Sequence, residues 1–268
     1  MTNTPRPTRF AGESWRTASA MHARVVGAVI MRDLQTRFGT GYFGFLLGLI
    51  MPLGHLTIAM IAMTTLGRPA PIGLNIPTFL LTGILPFVLW LYAHRQIMMS
   101  LQQNKPLLYF PGVDIFDLFT ARLIIEVASG TLVVLILLSA LSLIGYDIRP
   151  NNIFGFVYGL TQAWALGIAT GLIFGNIGSL WPFFLMLGNL MAPIFWVTSG
   201  ILYIPDTLPD KVRAVISHFP LSQIVDGVRS SFFAEYTSNY YQPQIAIVTI
   251  LTLIMFGLSL MFIIRRIT

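Results

Sequence analysis

Six long apolar stretches alternate with short polar segments along this chain of 268 residues. Each stretch reaches about 20 mostly apolar residues, the length that an α-helix needs to cross the hydrocarbon core of a bilayer. The apolar runs are continuous, whereas the strands of an outer-membrane barrel alternate in polarity over about 10 residues. The pattern therefore predicts six transmembrane helices. Their approximate limits are residues 43–66, 78–99, 118–144, 153–175, 180–203 and 245–264.

Composition agrees with this pattern, since 55% of the residues are hydrophobic and only 10% are charged. We therefore expect an all-α integral membrane protein with no room for a separate soluble domain. A cytoplasmic tail with an interface helix occupies residues 1–40, and a six-helix transmembrane domain occupies residues 41–268. The chain has no cysteine, which excludes disulfides and thiolate metal ligands. Residues 1–40 contain no apolar core of a cleavable signal peptide.

The positive charges predict an orientation, because Lys and Arg near the ends of spans stay cytoplasmic. With the N-terminus inside, eleven of the sixteen Lys and Arg residues fall on inner segments, while the ten acidic residues divide equally between the two sides. We therefore expect a multi-pass protein with both termini in the cytoplasm.

The segment 14–38 is predicted to form a helix at the cytoplasmic surface. It carries two apolar ridges at i, i+4 spacing, one beginning at Met21 and the other at Val26. Arg32 and Arg37 would then face lipid headgroups or an anionic substrate. The alternative is a basic anchor that has no further role.

Ionisable residues inside spans are costly and suggest function. Three stand out here: His55, Arg122 and Glu126. Arg122 and Glu126 lie one helical turn apart, so we favour a structural ion pair over proton coupling. A lone histidine such as His55 is more often a packing residue than a proton carrier. No chain of acids and histidines suggests a proton relay, which argues against an ion-driven transporter.

The fourth predicted span carries a small residue at every fourth position, a spacing that lets another helix approach closely. We favour packing within one subunit over a dimer seam for this stripe. Its members are Gly159, Ala163, Gly167, Gly171 and Gly175.

Two loops carry further information. The inner loop 102–114 mixes polar, aromatic and apolar groups, which is typical of a protein contact, although its apolar residues are also suited to the membrane surface. Its candidate contact residues are Asn104, Lys105, Pro106, Leu107, Leu108, Tyr109 and Phe110. The outer region 204–243 predicts two short helices that re-enter the outer leaflet, with Asp226, Arg229 and Glu235 available to water.

The sequence contains no site for ATP hydrolysis. A phosphate-binding loop needs glycines followed by lysine and serine or threonine, but the only lysines are Lys105, after Asn104, and Lys211, after Asp210. Neither a run of zinc ligands nor a nucleophile elbow is present. We predict a transport subunit that is not an enzyme and holds no metal or cofactor of its own.

Several short motifs, in order, resemble one family. Residues 32–39, RDLQTRFG, lead through Gly44 into PLGHL at 52–56, and this resembles the start of capsular polysaccharide export permeases, the KpsM-like members of the type-2 ABC exporters. Further matches lie at residues 104–111, 121–126, 199–203 and 220–226. The resemblance covers nearly the whole chain from about Arg32.

This resemblance implies a homodimer in the bacterial inner membrane, bound to two copies of a separate cytoplasmic ABC ATPase that holds ATP and Mg. The inner loop would be the coupling element, and a lipid-linked polysaccharide would pass between the two subunits. A periplasmic export co-polymerase and outer-membrane proteins complete the route in Gram-negative relatives. Membrane lipids are further partners, whereas nucleic acid is not expected.

The substrate path is predicted from basic and aromatic residues. We expect Arg32 and Arg37 to contact the anionic lipid end of the substrate, while aromatic faces suit stacking on sugar rings. Aromatic residues near span ends also form interfacial belts, which is the alternative. The candidates are Arg32, Arg37, Phe38, Tyr42, Phe43, His55, Trp90 and Tyr92.

Three other functions stay open at this point. O-antigen and teichoic-acid exporters share the same organisation, and the details at residues 38–39 and 52–55 favour capsule over them. A membrane scaffold that assembles biosynthetic enzymes without transporting anything is a rival from another class. A membrane glycosyltransferase is disfavoured because the chain lacks an acidic metal-binding cluster.

Overall fold

The computed structural model describes residues 15–38, 54–55, 57–67, 69–73 and 75–267. These residues form helices, turns and loops and contain no strand. Residues 57–65 are helical. The helices with defined limits are α1 (Trp15–Phe38), α2 (Ile76–Gln103), α3 (Ile115–Leu143), α4 (Ile153–Leu180), α5 (Phe183–Thr198), α6 (Asp210–Ile216), α7 (Pro220–Phe232) and α8 (Pro243–Ile267).

Four of these helices, α2, α3, α4 and α8, are long and apolar enough to cross a membrane. The prediction of an all-α integral membrane protein is therefore confirmed. Leu135 on α3 and Leu251, Met255 and Phe256 on α8 are exposed on the outside of the bundle. Such apolar surface suits contact with lipid.

The predicted span over residues 180–203 is shorter in the structure. Leu180 is the last residue of α4, and α5 has only 16 residues, which is about 24 Å of helix. The chain turns immediately after α5, at Gly200, whose φ of 77° suits a residue without a side chain. The predicted span over residues 43–66 lies mostly outside the described residues, which add only the helical segment 57–65 to it.

Helix α1 lies where the sequence predicted an interface helix. Its buried face packs on another helix of the same chain, with Val26 and Val29 against Leu118 and Ala121 of α3. Trp15, at its first residue, is exposed. Both apolar ridges of α1 contribute to this contact, since Val25 and Ile30 are partly buried against the same cluster.

Helix α2 is the centre of the bundle and is buried along nearly its whole length. It begins after Asn75 with a proline in its first turn, where a missing N–H costs no hydrogen bond. It contacts α3, α4, α5 and α7. The other helices are therefore arranged around α2.

The stripe of small residues on α4 faces α2 and α7. A β-carbon placed on Gly167 would lie 2.5 Å from the Trp90 carbonyl oxygen, and one on Gly171 would lie 2.7 Å from the His94 carbonyl oxygen. Gly175 meets the Met98 carbonyl oxygen at 2.7 Å in the same way. Ala163 is fully buried, and a β-carbon placed on Gly159 would lie 2.5 Å from the Val228 side chain. The stripe thus serves packing inside this chain.

Hydrogen bonds join the helices at both ends of the bundle. At one end, the Asn152 backbone N–H at the start of α4 donates to the Ser231 carbonyl of α7 at 2.8 Å. At the other, the Gln102 side chain near the end of α2 donates to the Gly178 carbonyl of α4 at 3.0 Å. We call the second end the inner end, because the positive charges predict that it faces the cytoplasm, and the first the outer end.

Substituting Gly167 by alanine is expected to lower the free energy of unfolding by about 1–3 kcal/mol, because the added methyl group overpacks the contact with α2. The matched control is Gly27→Ala on α1, where nothing lies within 4 Å of the added carbon. The control should stabilise the helix slightly. Denaturant titration in mixed micelles measures both, and equal effects of the two substitutions would contradict the packing account.

Candidate functional site

The inner loop connects α2 to α3 over residues 104–114 and has a defined structure. Asn104 is buried at the end of α2, and residues Lys105–Tyr109 form a 3-10 helix. At the other end, Asp114 caps α3, and its backbone N–H donates to the Asp117 carboxylate at 2.8 Å. The Asp114 side chain accepts from the Phe116 N–H at 3.3 Å in return. Both ends of the loop are thus fixed by hydrogen bonds.

The seven predicted contact residues differ in exposure. Tyr109 is 77% exposed and Phe110 is 62% exposed, and Lys105 and Pro106 are exposed beside them. We call these four residues the loop tip. This exposed aromatic surface suits contact with a partner protein or with the membrane surface. Leu107 and Leu108 are half-buried and pack toward Val26 and Val29 of α1, so they support the loop from behind.

Arg122 binds three acceptor groups at the inner end. It is buried on α3, and its guanidinium donates to the Asp33 carboxylate at 3.1 Å, to the Gln96 carbonyl at 3.2 Å and to the Gln103 side-chain oxygen. The sequence predicted Glu126 as its ion-pair partner. The structure gives Arg122 an ion pair with Asp33 on α1, a partner on another helix that spacing along α3 could not indicate. The pair between Arg122 and Glu126 stays a prediction. Glu126 is buried one turn away.

Arg32 is bound to the start of the loop. Its guanidinium donates to the Asn104 side-chain oxygen and, at 3.1 Å, to Asp33. The Asn104 amide group donates in turn to the Ser100 carbonyl at 3.0 Å. The Arg32 side chain is 38% exposed. A contact between Arg32 and an anionic lipid is untested and stays a prediction, but Arg32 already has partners within the chain. We call Arg32, Asp33, Gln103, Asn104 and Arg122 the inner network.

A second polar link joins α1 to the far end of the loop. His22 on α1 contacts the Asp117 carboxylate through its Nδ1 atom. Asp117 is fully buried, whereas the His22 side chain is 41% exposed. The buried carboxylate therefore has hydrogen-bond partners on both of its oxygens, one from α1 and one from the Asp114 backbone.

Three of the remaining predicted residues of the substrate path, Trp90, His55 and Tyr92, lie within the part of the chain that the structure describes. Trp90 is fully buried and stacks on the His94 ring, with centroids 5.2 Å apart, so it is closed to a sugar ring in this arrangement. His55 packs against Trp196 with centroids 5.6 Å apart, and Tyr92 is half-buried against the core. Side chains at four further positions lie outside the described residues: Arg37, Phe38, Tyr42 and Phe43.

His94 is a buried polar residue that sequence analysis missed. Its Nε2 atom donates to the Gly188 carbonyl of α5 at 3.0 Å, and its Nδ1 atom lies 2.9 Å from the Thr170 hydroxyl of α4. It therefore ties α2, α4 and α5 together. In the sequence, His94 stands next to Arg95 at the end of an apolar run, where polar residues are expected. Only the burial of its ring in the structure distinguishes it from a solvent-exposed histidine.

The outer region differs from the prediction in where its charges lie. Asp226 and Arg229 on α7 are completely buried, not available to water as predicted. Arg229 donates to the Ile201 and Tyr203 carbonyls at 2.9 Å, and Asp226 accepts from the Tyr236 hydroxyl at 2.6 Å. The polar face of α7 is covered by these neighbouring segments. Exposed Glu235 agrees with the prediction.

Burial shifts the pKa values of Asp226 and Arg229. Removal from water raises the pKa of the Asp226 carboxyl, with hydrogen bonds and the Arg229 charge acting in the opposite direction. Burial lowers the pKa of Arg229 to about 10, so it stays a cation at neutral pH. The guanidinium also lies over the Phe79 ring, 4.2 Å from its centroid. Arg229 therefore links α7 to the turn after α5 and to α2.

The fold and the loop define a class: an all-helical integral membrane protein with an exposed aromatic tip on its inner loop. No group of three or more His, Asp or Glu side chains suited to hold a metal occurs among the described residues. No family model matches this chain. Its relatives among curated proteins define the class further.

The chain is 27% identical over 237 residues to the capsule polysaccharide export inner-membrane protein CtrC of Neisseria meningitidis, across 88% of this chain and 89% of the relative. It is 25% identical over 250 residues to BexB of Haemophilus influenzae, of the same description, across 91% and 92%. It is 26% identical over 238 residues to the polysialic acid transport protein KpsM of Escherichia coli, across 88% and 91%. The curated homologues are thus capsule polysaccharide export proteins, and the family resemblance of the sequence is confirmed.

Replacing Arg229 by methionine is expected to lower the free energy of unfolding by about 3–5 kcal/mol, because the substitution leaves two buried carbonyls without a donor and Asp226 without a nearby cation. The control, Arg213→Met, removes a surface guanidinium paired with Asp210 and should cost no more than about 1 kcal/mol. Unfolding in mixed micelles measures both. Equal costs would mean that burial of Arg229 has no energetic importance.

Proposed function

We propose that this chain is the transmembrane permease subunit of an ATP-driven exporter that moves lipid-linked capsular polysaccharide across the inner membrane. One observation carries the proposal: the chain matches curated capsule polysaccharide export proteins over about nine-tenths of its length and of theirs. These relatives favour capsule over an O-antigen or teichoic-acid substrate and over a non-transporting scaffold. Both termini would lie in the cytoplasm.

A separate ATPase is the proposed energy source, and it would bind ATP and Mg. The loop tip is the proposed docking site, because Tyr109 and Phe110 expose large aromatic surfaces at the inner end. Aromatic residues that become buried at the centre of an interface commonly contribute most of its binding free energy. Two ATPases would bind the two copies of this chain.

A homodimer is proposed because the core around α2 is closed. Trp90, Leu85 and Leu166 are fully buried there, which leaves no room for a sugar chain through the centre of this subunit. A route between two copies does not require that core to open. Periplasmic export proteins, including a co-polymerase, would receive the polysaccharide at the outer end.

Co-purification with the candidate ATPase, followed by reconstitution in lipid, tests the proposed function. The expected result is ATP turnover that rises when the lipid-linked polysaccharide is added, together with loss of capsule export when the gene is deleted. Absence of both effects would favour the scaffold alternative.

The docking site makes a sharper prediction. The double substitution of Tyr109 and Phe110 by serine should weaken ATPase binding about thirtyfold or more, since truncation of buried aromatic anchors costs about 2 kcal/mol or more. The control is Phe154→Ser, which removes a ring that is 84% exposed at the start of α4, at the outer end. Binding of the purified ATPase to both variants in nanodiscs is the measurement. A normal affinity of the Tyr109 and Phe110 variant would exclude the loop tip as the dock.

A further inference from the structure

Helix α1 holds the inner loop at both of its ends. Arg32 binds Asn104, the first residue of the loop, and His22 binds Asp117, which also fixes the backbone of Asp114 at the last. His22 and Arg32 are ten residues apart on α1, a distance of about 15 Å along a helix. The two polar contacts therefore lie at opposite ends of one continuous contact between α1 and the loop.

The space between the two polar contacts is filled with apolar side chains. Val26 and Val29 of α1 are buried against α3, and Leu107, Leu108 and Val113 of the loop pack on the same cluster. Close-packed side chains resist sliding and transmit displacement to their neighbours. A displacement of the loop would therefore move α1 with it.

The ion pair between Asp33 and Arg122 fixes this unit to the bundle. Both side chains are almost entirely buried, with 5% and 3% exposed. Arg122 also binds Gln96 and Gln103 of α2, so three helices meet at one guanidinium. A buried pair of this kind holds one geometry, since removing one partner leaves an uncompensated charge in the protein interior.

We propose that α1 is a positioning helix for the inner loop, and that Arg32 and Asp33 are positioning residues that set the orientation of the loop tip toward the partner ATPase. The second part rests on the proposed function of the loop as the docking site. The contact of Arg32 is with Asn104, and its role in export does not require a lipid headgroup. The basic residue Arg24 is the natural comparison, since it lies on the exposed side of α1 and bonds only weakly, at 3.4 Å, to the Ala20 carbonyl of its own helix.

The first experiment measures the loop in the full chain without any ATPase. Because the chain has no cysteine, the substitution Tyr109→Cys provides a single attachment point for a spin label, whose mobility in lipid nanodiscs reports on the loop tip. Asp33→Asn should increase the mobility clearly, and Arg24→Gln should not. Hydrogen exchange of the α4 backbone, which must stay protected, shows that Asp33→Asn has folded.

Arg32→Met provides the second variant if Asp33→Asn fails to fold. It removes the contact with Asn104 and leaves the buried pair of Asp33 and Arg122 in place, so it should also increase the mobility of the label. An unchanged label mobility in a folded Asp33→Asn or Arg32→Met protein would overturn the positioning role, whether or not the proposed function is correct.

The second experiment asks whether Arg32 acts by positioning the loop or by binding lipid. It is a double-mutant cycle in the reconstituted complex, with capsule export and ATP turnover as the two measurements. Arg32→Met and Asn104→Leu should each lower export about tenfold while ATPase binding persists, and the double variant should be no worse than either single one, because residues in direct contact are not additive. Arg24→Gln combined with Asn104→Leu should give additive effects.

Additive losses for Arg32 and Asn104, with Arg32→Met alone sensitive to anionic lipid content, would overturn the proposal in favour of a headgroup contact. A parent complex without ATP-driven export would refute the proposed function, while the spin-label result would still decide the positioning role.

Discussion

The close approach of α4 to α2 is the constraint on which the rest of the bundle depends. Along Gly167, Gly171 and Gly175 the backbone of α4 lies directly against the carbonyl groups of α2, with no side chain between them. Lipid offers no hydrophobic driving force between helices, so such contacts must come from van der Waals packing at short distance. The other helices that contact α2 then pack around it, so α2 is enclosed on several sides.

Charge burial is the second organising feature, and it occurs at both ends of the bundle. Arg122 at the inner end and Arg229 at the outer end are each almost completely buried, and each is bound by groups from other segments. Guanidinium groups suit this role because their donors are fixed in a plane and reach several acceptors at once. The two arginines join elements that are far apart in sequence, α1 to α3 at one end and α7 to the turn after α5 at the other.

The inner end combines a firm support with an exposed tip. The loop is held by hydrogen bonds at Asn104 and Asp114 and by the leucines behind it, while Tyr109 and Phe110 are exposed. A partner that binds the tip would therefore act on a preorganised surface, which reduces the entropy lost on binding. This arrangement suits the proposed docking of a separate ATPase.

The sequence by itself determined the class of the protein and most of its helices. Continuous apolar runs of bilayer length, the lack of a phosphate-binding loop and the ordered motifs along the chain led to a membrane permease of the capsule export type, because length, hydrophobicity and local motifs are properties of contiguous residues. The small-residue stripe on α4 was visible for the same reason.

Only the tertiary structure decided which partners the buried charges have. Spacing along α3 could point only to residues of the same helix, whereas the structure joins Arg122 to Asp33, 89 residues away in sequence. Asp226 and Arg229 had the pattern of a solvated helix face, yet neighbouring segments cover them. Trp90 looked available for stacking and is instead enclosed by α4 and α5. Such contacts depend on how helices that are distant in sequence pack together. The spacing of residues along one helix predicts which of them share a face of that helix, but it does not predict which residues of another helix that face contacts.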